Sequence, residues 1–388
     1  MNFKRVFLIV LDSLGVGEAL DAESYGDKGA NTLGNITKKY DLFIPNLKKL
    51  GFLNTLTMNN LESEAYYTIA RPKNKGKDSI SGHYEIMAIE NSISYKTFKE
   101  NGFPRELLET IVKETKRGII GNLVGNHEDV IKKLGDRHME TGSLIIYTTG
   151  DSDLQIAANE EKIPINELYE YATIIRKITE REEWKVGRVV ARPFIKQDNE
   201  YVFTNNTRYF TLTPPNRSVL NILKEHELQV ISIGKIHDIY NGNGITKIIK
   251  STSNSEGLSK LYRIMDKNFE GLCYLNLSDF DSIYGHKRDT EGYAKAIEEL
   301  DVEIPILLNK LEIDDLLIIT ADHGCDPTYP GTSHTRENVP VIVYSRLFTN
   351  PHQLDVLNTL SDIGATILDN FKIDETIWMG KSFFDKLK

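Results

Sequence analysis

At 388 residues the chain is too long for one small core, and two domains are the expectation. With 40% hydrophobic and 27% charged residues it has ample material for a core and lacks the signature of disorder. A net charge of −9 argues against a nucleic-acid partner, whose phosphates need a basic face. Two cysteines, Cys273 and Cys325, are too few for a disulfide framework, so reduced thiols in a cytoplasmic protein are expected. Lys4 and Arg5 before the apolar run 6–11 have the outline of a signal peptide. That run is short and Asp12 ends it, which fits a first buried strand. No run is long enough to span a membrane.

Residues 6–11 (VFLIVL) read as a parallel-sheet strand, apolar throughout and covered on both faces. Asp12 and Ser13 stand at its carboxyl end, where ligand sites of open α/β sheets gather. The Gly-rich stretch 15–34 is not G-x-G-x-x-G, and no phosphate cradle follows from it. A short helix over 45–50 stops at Gly51. Residues 76–85 (GKDSISGHYE) read alone as a turn rich in helix-capping residues. Ser79 and Ser81 are candidate nucleophiles there, with Lys77 and Asp78 beside them.

From about residue 96 the texture changes. Amphipathic helices are expected over 104–116 and 163–178, the second with Pro164 near its start. Strands are expected over 143–148, 185–194 and 200–212. The block 96–213 reads as an inserted α+β domain, and Pro214-Pro215 marks the return to a main domain of 1–95 and 214–388. The second half recovers an α/β rhythm, with strands over 229–233, 271–277, 316–321 and 339–344. A helix over 290–311 carries Tyr293, Ile297, Leu300, Ile304, Leu307 and Leu311 on one face, and Pro305 should kink or divide it. A last helix over 362–371 takes Ser361 as its N-cap. The fold class is α/β with a mostly parallel sheet.

The carboxyl ends of the apolar strands collect Asp12, then Asp281 with His286, then Asp322 with His323; His334 stands before the last strand. Asp322 and His323 at a strand mouth should point to opposite sides and serve two partners. Buried charge is costly unless something holds it, and a divalent metal is the usual holder. Each residue alone has an ordinary reading, such as a helix cap or a plain histidine; the joint pattern carries the inference. Three carboxylates and three imidazoles are too many for one tetrahedral zinc and suit two divalent ions a few Å apart. Two ions with a hydroxyl between them suit phosphoryl transfer, which singles out the 77–83 segment with Ser79 as the alkoxide.

On its motifs the chain resembles the bacterial phosphopentomutases of the alkaline phosphatase superfamily over nearly its whole length. The motifs are 10–18 (VLDSLGVGE), 29–34 (GANTLG), 76–85, 150–158 (GDSDLQIAA), 188–194 (RVVARPF), 234–239 (GKIHDI), 279–281 (DFD), 284–286 (YGH) and 320–328 (TADHGCDPT). The resemblance implies an alkaline-phosphatase-like core with an inserted cap domain and two manganese ions. One ion falls to Asp12, Asp322, His323 and the nucleophile, the other to Asp281, His286 and His334. It also implies a phosphoenzyme of nucleoside catabolism that interconverts (deoxy)ribose 1- and 5-phosphates, with a sugar bisphosphate as intermediate and activator. The family's phosphorylated threonine is matched here by Ser79, which keeps the hydroxyl. Matching substrate positions are Thr149, Asp151, Arg188, Val190 and Lys235.

The cap departs from the pattern. Residues 201–210 (YVFTNNTRYF) place Phe203 near an expected basic position and Arg208 out of register with the family's arginine. An arginine clamps phosphate in bidentate fashion and a phenyl ring does not. Another sugar phosphate as substrate is therefore the alternative, and a metal-binding protein without turnover is the alternative of another class. A sulfatase is disfavoured, because residues 325–329 begin like Cys-x-Pro-x-Arg and lack the arginine.

Overall fold

The computed structural model describes residues 2–90 and 95–387. The chain forms two compact units, Met1–Ile93 with Pro214–Lys388, and Ser94–Thr213. In the first unit seven strands make one sheet, in the spatial order Lys247–Ile249, Gln229–Ile233, Gly271–Leu277, Arg5–Leu11, Asp315–Thr320, Val339–Tyr344, Tyr66–Ala70. The first five run parallel, and the last two are antiparallel to their neighbours. The central strand Arg5–Leu11 and its neighbours Gly271–Leu277 and Asp315–Thr320 are buried at every residue, which is why they read as unbroken apolar runs. Their register aligns Leu11 with Leu277 and Val10 with Thr320, so three chain segments leave the sheet side by side.

The opposite end of the same strands is fixed by charge. Arg5 is 2% exposed and forks onto Asp315, with Nε and Nη2 donating at 2.7 and 2.6 Å. Its Nη1 donates to Met265 O and Lys267 O, both at 2.8 Å. Arg5 and Asp315 are also register partners, so the pair locks the pairing of two strands.

The Ser361 N-cap expectation is corrected, and of the two outcomes expected at Pro305, a kink or a division, division is not seen. Thr290–Lys310 is one continuous helix, and Pro305 does not divide it. Proline has no N–H for the Asp301 carbonyl, but Asn46 Nδ2 donates to that oxygen at 3.2 Å. The last helix, Ser361–Asn370, includes Ser361 in its first turn; Leu360 is the N-cap. The Ser361 hydroxyl is already used, donating to Glu85 O at 2.7 Å.

The second unit has a six-stranded sheet in the order Ile119–Val124, Leu144–Thr148, Asp153–Asn159, Arg188–Gln197, Glu200–Phe203, with Arg208–Thr211 also paired to Arg188–Gln197. Helices Arg105–Thr115 and Ile165–Ile178 cover one face, where Val189 and Ala191 are buried, and His127–Thr141 covers the other beside Phe194. The strand expected over 185–194 runs from Arg188 to Gln197 instead. The strand expected over 200–212 is two. Between them Thr204 Oγ1 and Asn206 Nδ2 both donate to Glu160 Oε1, at 2.6 and 3.0 Å, which holds the chain in a turn.

Asp315→Ala would leave the Arg5 guanidinium buried without its counter-ion. The expected loss is about 3–5 kcal/mol in urea unfolding, largely recovered when Arg5→Met and Asp315→Leu are combined. A loss below about 1 kcal/mol for the single change would show that the pair does not fix the register.

Candidate metal centre

The aligned strand ends deliver the site. Asp12 follows Leu11 directly, and the next residue, Ser13, is left-handed at φ 76°, unusual for a residue with a Cβ. That turn aims Ser13 N at Asp322 Oδ1, 3.0 Å away. Asp281 lies in a π-helical turn, Phe280–Gly285, and His286 N donates to Asp281 O at 3.1 Å. An i→i+5 turn stacks residues five apart, so His286 Nε2 comes to 3.4 Å from Asp281 Oδ2. Thr335 and Gly324 exchange backbone hydrogen bonds at 3.2 and 2.8 Å, which docks the His334 loop beside Asp322 and His323.

Asp322 and His323 do not diverge as their sequence position implies. Their strand ends at Thr320, so strand alternation no longer governs them. His323 Nε2 lies 3.4 Å from Asp322 Oδ2 and 3.5 Å from Asp12 Oδ1. In the adjoining group His334 Nε2 lies 3.2 Å from Asp281 Oδ1 and 3.1 Å from His286 Nε2. The His323 and His334 rings are 4.1 Å apart, which joins the two groups. Backbone carbonyls fix the tautomers. His286 Nδ1 meets Thr332 O at 2.8 Å and His323 Nδ1 meets Gly324 O at 3.0 Å, so each Nδ1 carries a proton and each Nε2 faces the carboxylates.

The electrostatics of this cluster are in conflict. Burial works against the charge on Asp12, but Lys235, with Nζ 3.8 Å from Oδ2, and His323 hold its carboxyl well below the usual range. Burial likewise opposes charge on Asp281, and His286 and His334 outweigh it. Asp322 goes the other way: burial and then the charge of Asp12 push it well up. Burial pulls His323 down, yet the surrounding carboxylates, Asp322 foremost, raise it to about 10. Asp281 Oδ1 and Asp322 Oδ2 are buried and receive no hydrogen bond from the described residues. Oxygen and imidazole donors within 4.8 Å of one another, short of positive charge, fit divalent cations. Asp12, Asp322 and His323 could hold one, and Asp281 with His334 and His286 or His323 another.

The 77–83 segment is the start of a helix, Ser79–Ile86, capped by Asp78. Ser79 is 7% exposed, with Oγ 3.3 Å from Asp12 Oδ1 and 3.2 Å from His323 Nε2. Ser81 is turned back, its N and Oγ donating to Asp78 at 3.1 and 2.9 Å. Lys77 Nζ is paired with Asp27 at 2.6 Å. The helix can approach this closely only through Gly82, where a Cβ would lie 2.1 Å from Asp322 O.

Sequence reasoning passed over two neighbours. Asn276 Nδ2 donates to Asp12 Oδ2 at 2.9 Å. His83 is wholly buried, with Nδ1 2.6 Å from Tyr274 Oη and Nε2 3.5 Å from Asp322 Oδ2, and burial lowers its pKa to about 3. The available signal was its spacing, four residues after Ser79 on one helix face. Lys235, read as a substrate residue, lies against Asp12.

In the second unit Arg188 Nη2 is 4.0 Å from Asp151 Oδ2. Thr149 donates to Asp153 from N at 3.1 Å and from Oγ1 at 2.7 Å. Val190 is buried, in register with Gln155 and Tyr209. The Arg208 guanidinium carbon lies 5.1 Å from the ring centres of both Tyr169 and Phe210, and Phe203 faces His127 and Phe194 at 6.1 and 6.4 Å.

A cation that relieves the conflict should stabilise the fold. At a hundred times its Kd each ion adds about 2.7 kcal/mol, so Mn2+ should raise the melting temperature and EDTA should reverse the rise. Asp281→Ala should lower the ions bound per chain, as counted by elemental analysis. An unchanged melting temperature in Mn2+ would remove the metal centre.

Residues 4–375 match the profile of the Metalloenzyme superfamily. The chain is similar in structure to the PH0037 protein from Pyrococcus horikoshii, at 14% identity and a TM-score of 0.51, covering 98% of this chain and 100% of that one. It is also similar to Leishmania mexicana phosphoglycerate mutase at low cobalt concentration, at 12% identity and a TM-score of 0.49, covering 98% and 97%. Cofactor-independent phosphoglycerate mutase from Thermoplasma acidophilum DSM 1728 matches at 12% identity and a TM-score of 0.41, covering 95% and 99%. Among the described residues no helix is long and apolar enough to cross a membrane. With its α/β core of the alkaline phosphatase kind, the chain belongs to the Metalloenzyme superfamily.

Proposed function

We propose that the protein is a phosphomutase that interconverts (deoxy)ribose 1-phosphate and 5-phosphate through a phosphorylated Ser79 and a sugar bisphosphate. The observation that carries the reading is Ser79 Oγ, set at a helix N-terminus within 3.3 Å of Asp12 and 3.2 Å of His323. In this reading Asp12, Asp322 and His323 hold one ion with Ser79, and Asp281, His286 and His334 hold the other. Two bound divalent ions, manganese in this proposal, would lower the hydroxyl pKa and neutralise the phosphoryl oxygens.

The residues of the chain do the rest. Asp12 Oδ1 accepts the Ser79 hydroxyl hydrogen bond and so orients Oγ. In the forward reaction the Oγ–P bond of the phosphoenzyme breaks as a sugar hydroxyl oxygen bonds to phosphorus and its proton passes to Oγ, giving the bisphosphate. The other sugar O–P bond then breaks as Oγ takes that phosphoryl group and the proton returns to the freed sugar oxygen, which restores the phosphoenzyme. A sugar bisphosphate would prime the unmodified serine, hence its role as activator. Lys235 supplies a cation beside Asp12 where phosphoryl charge must be met. The second unit is assigned the substrate: Arg188 for the distal phosphate, with Thr149, Asp151 and Val190 about the sugar. The reading puts the enzyme in nucleoside catabolism in the cytoplasm, where its two buried free cysteines stay reduced. Phe203, near a position where the resembled family is basic, favours another sugar phosphate as the second reading.

Brief incubation with a sugar bisphosphate should leave phosphate on the peptide containing Ser79. Ser79→Ala should abolish turnover and Ser79→Thr should keep it; phosphate on Ser81 instead would refute the assignment.

Arg188→Ala should lower kcat/KM about ten- to a hundredfold, the worth of one charge-assisted contact of about 1.5–3 kcal/mol. A panel of sugar phosphates tests the name. Faster turnover of a hexose or amino-sugar phosphate than of ribose 1-phosphate would keep the chemistry and replace the substrate.

A further inference from the structure

His83 and Asp322 present two buried polar atoms to each other. His83 Nε2 and Asp322 Oδ2 are 3.5 Å apart, both side chains are 0% exposed, and neither atom has a hydrogen-bond partner among the described residues, His323 Nε2 standing 3.4 Å from the same oxygen. A carboxylate oxygen can only accept, so a favourable contact requires the ring proton on Nε2. The other ring nitrogen agrees with that assignment. Nδ1 is 2.6 Å from Tyr274 Oη, and a phenol can donate to a bare imidazole nitrogen. Tyr240 Oη donates to the His83 carbonyl, so two tyrosines grip this one residue. The opposite oxygen of Asp322, Oδ1, receives Ser13 N at 3.0 Å and His323 N at 3.2 Å.

We infer that His83 is a positioning residue whose Nε2 proton faces Asp322 Oδ2 without closing a full hydrogen bond, biasing the carboxylate's orientation toward the cation proposed for Asp12, Asp322 and His323. The inference rests on the two-cation reading above. With two N–H donors on Oδ1 and a ring N–H facing Oδ2, rotation of the carboxylate about its last bond is disfavoured, so its remaining lone pairs stay aimed at the ion. The helix adds a mechanical part. Ser79 and His83 lie one turn apart on it, and Gly82 between them touches Asp322 O. The hydroxyl and the carboxylate are thereby held at a fixed separation by one short rigid element.

Two substitutions separate this role from mere packing. His83→Gln keeps an N–H near the Nε2 position, and His83→Asn keeps an acceptor for Tyr274 but falls short of Asp322. Titration of the apoprotein with Mn2+, followed by the EPR signal of the free ion, reads both sites without turnover. His83→Asn should weaken one of the two ions about 10–100-fold and leave the other unchanged, whereas His83→Gln should stay within about threefold of the parent. Tyr274→Phe keeps the ring packing, frees the imidazole tautomer, and should weaken the same ion. Parent affinities in His83→Asn and Tyr274→Phe, or equal losses in the Asn and Gln variants, would overturn the inference. An unsubstituted protein that binds no Mn2+ would overturn the two-cation reading and this one with it. Melting temperatures of the metal-free variants show whether each is folded.

Discussion

Three carboxylates, Asp12, Asp281 and Asp322, are buried together at one end of the seven-stranded sheet, and the local structure is arranged around that crowding. Two like charges at about 4 Å repel by about 4 kcal/mol at an effective dielectric constant of about 20. A neutral hydrogen bond returns about 1 kcal/mol net, so donors such as Asn276 and Ser13 N soften the conflict without removing it. Only positive charge removes it. Lys235 brings one cation, and the imidazoles cannot all be protonated when His286 and His334 stand nitrogen to nitrogen at 3.1 Å. The demand for divalent ions thus follows from the arrangement of this chain's own atoms.

The means of holding that arrangement are unusual pieces of backbone. Ser13 is left-handed, Phe280–Gly285 is a π-helical turn, and Gly82 lets a helix touch a neighbouring carbonyl. Each is a local cost, and each is offset by long-range contacts of the same residues: Ser13 O, for example, accepts from Cys325 N at 3.0 Å. Strain of this kind survives because the flanking strands are buried and cannot relax.

Much of the core was legible in the sequence, because doubly covered strands are continuous apolar runs and the polar residues that end them stand out. Asp12, Asp281, His286, Asp322, His323 and His334 were visible as a group for that reason. What was hidden depends on partners far along the chain or on a change of local geometry. Pro305 leaves its helix whole because Asn46, about 255 residues away, serves the orphan carbonyl. Asp322 and His323 face one centre because the strand stops two residues before Asp322, and no alternation rule announces where a strand stops. His83 was in plain view inside a quoted motif, but its meaning needed Tyr274 from another strand. The 200–212 stretch reads as one strand, although Asn205 and Asn206, turn-favouring residues, mark the break between its two strands.

The register of the central strand also sets a timetable. Arg5–Leu11 pairs with Gly271–Leu277 and Asp315–Thr320 and has no other neighbour in the sheet. At about 5–20 residues per second, a ribosome needs on the order of 15–60 s to pass from the first of these strands to the last. Until Gly271–Leu277 emerges this buried strand has no neighbour to pair with, and until Asp315–Thr320 follows it has only one and Asp12 has no complete site to join. The insertion Ser94–Thr213, whose two clusters draw only on its own residues, lies wholly within the wait. Chaperone dependence of the nascent chain would therefore trace to the waiting first strand, falling as Gly271–Leu277 emerges and ending with Asp315–Thr320.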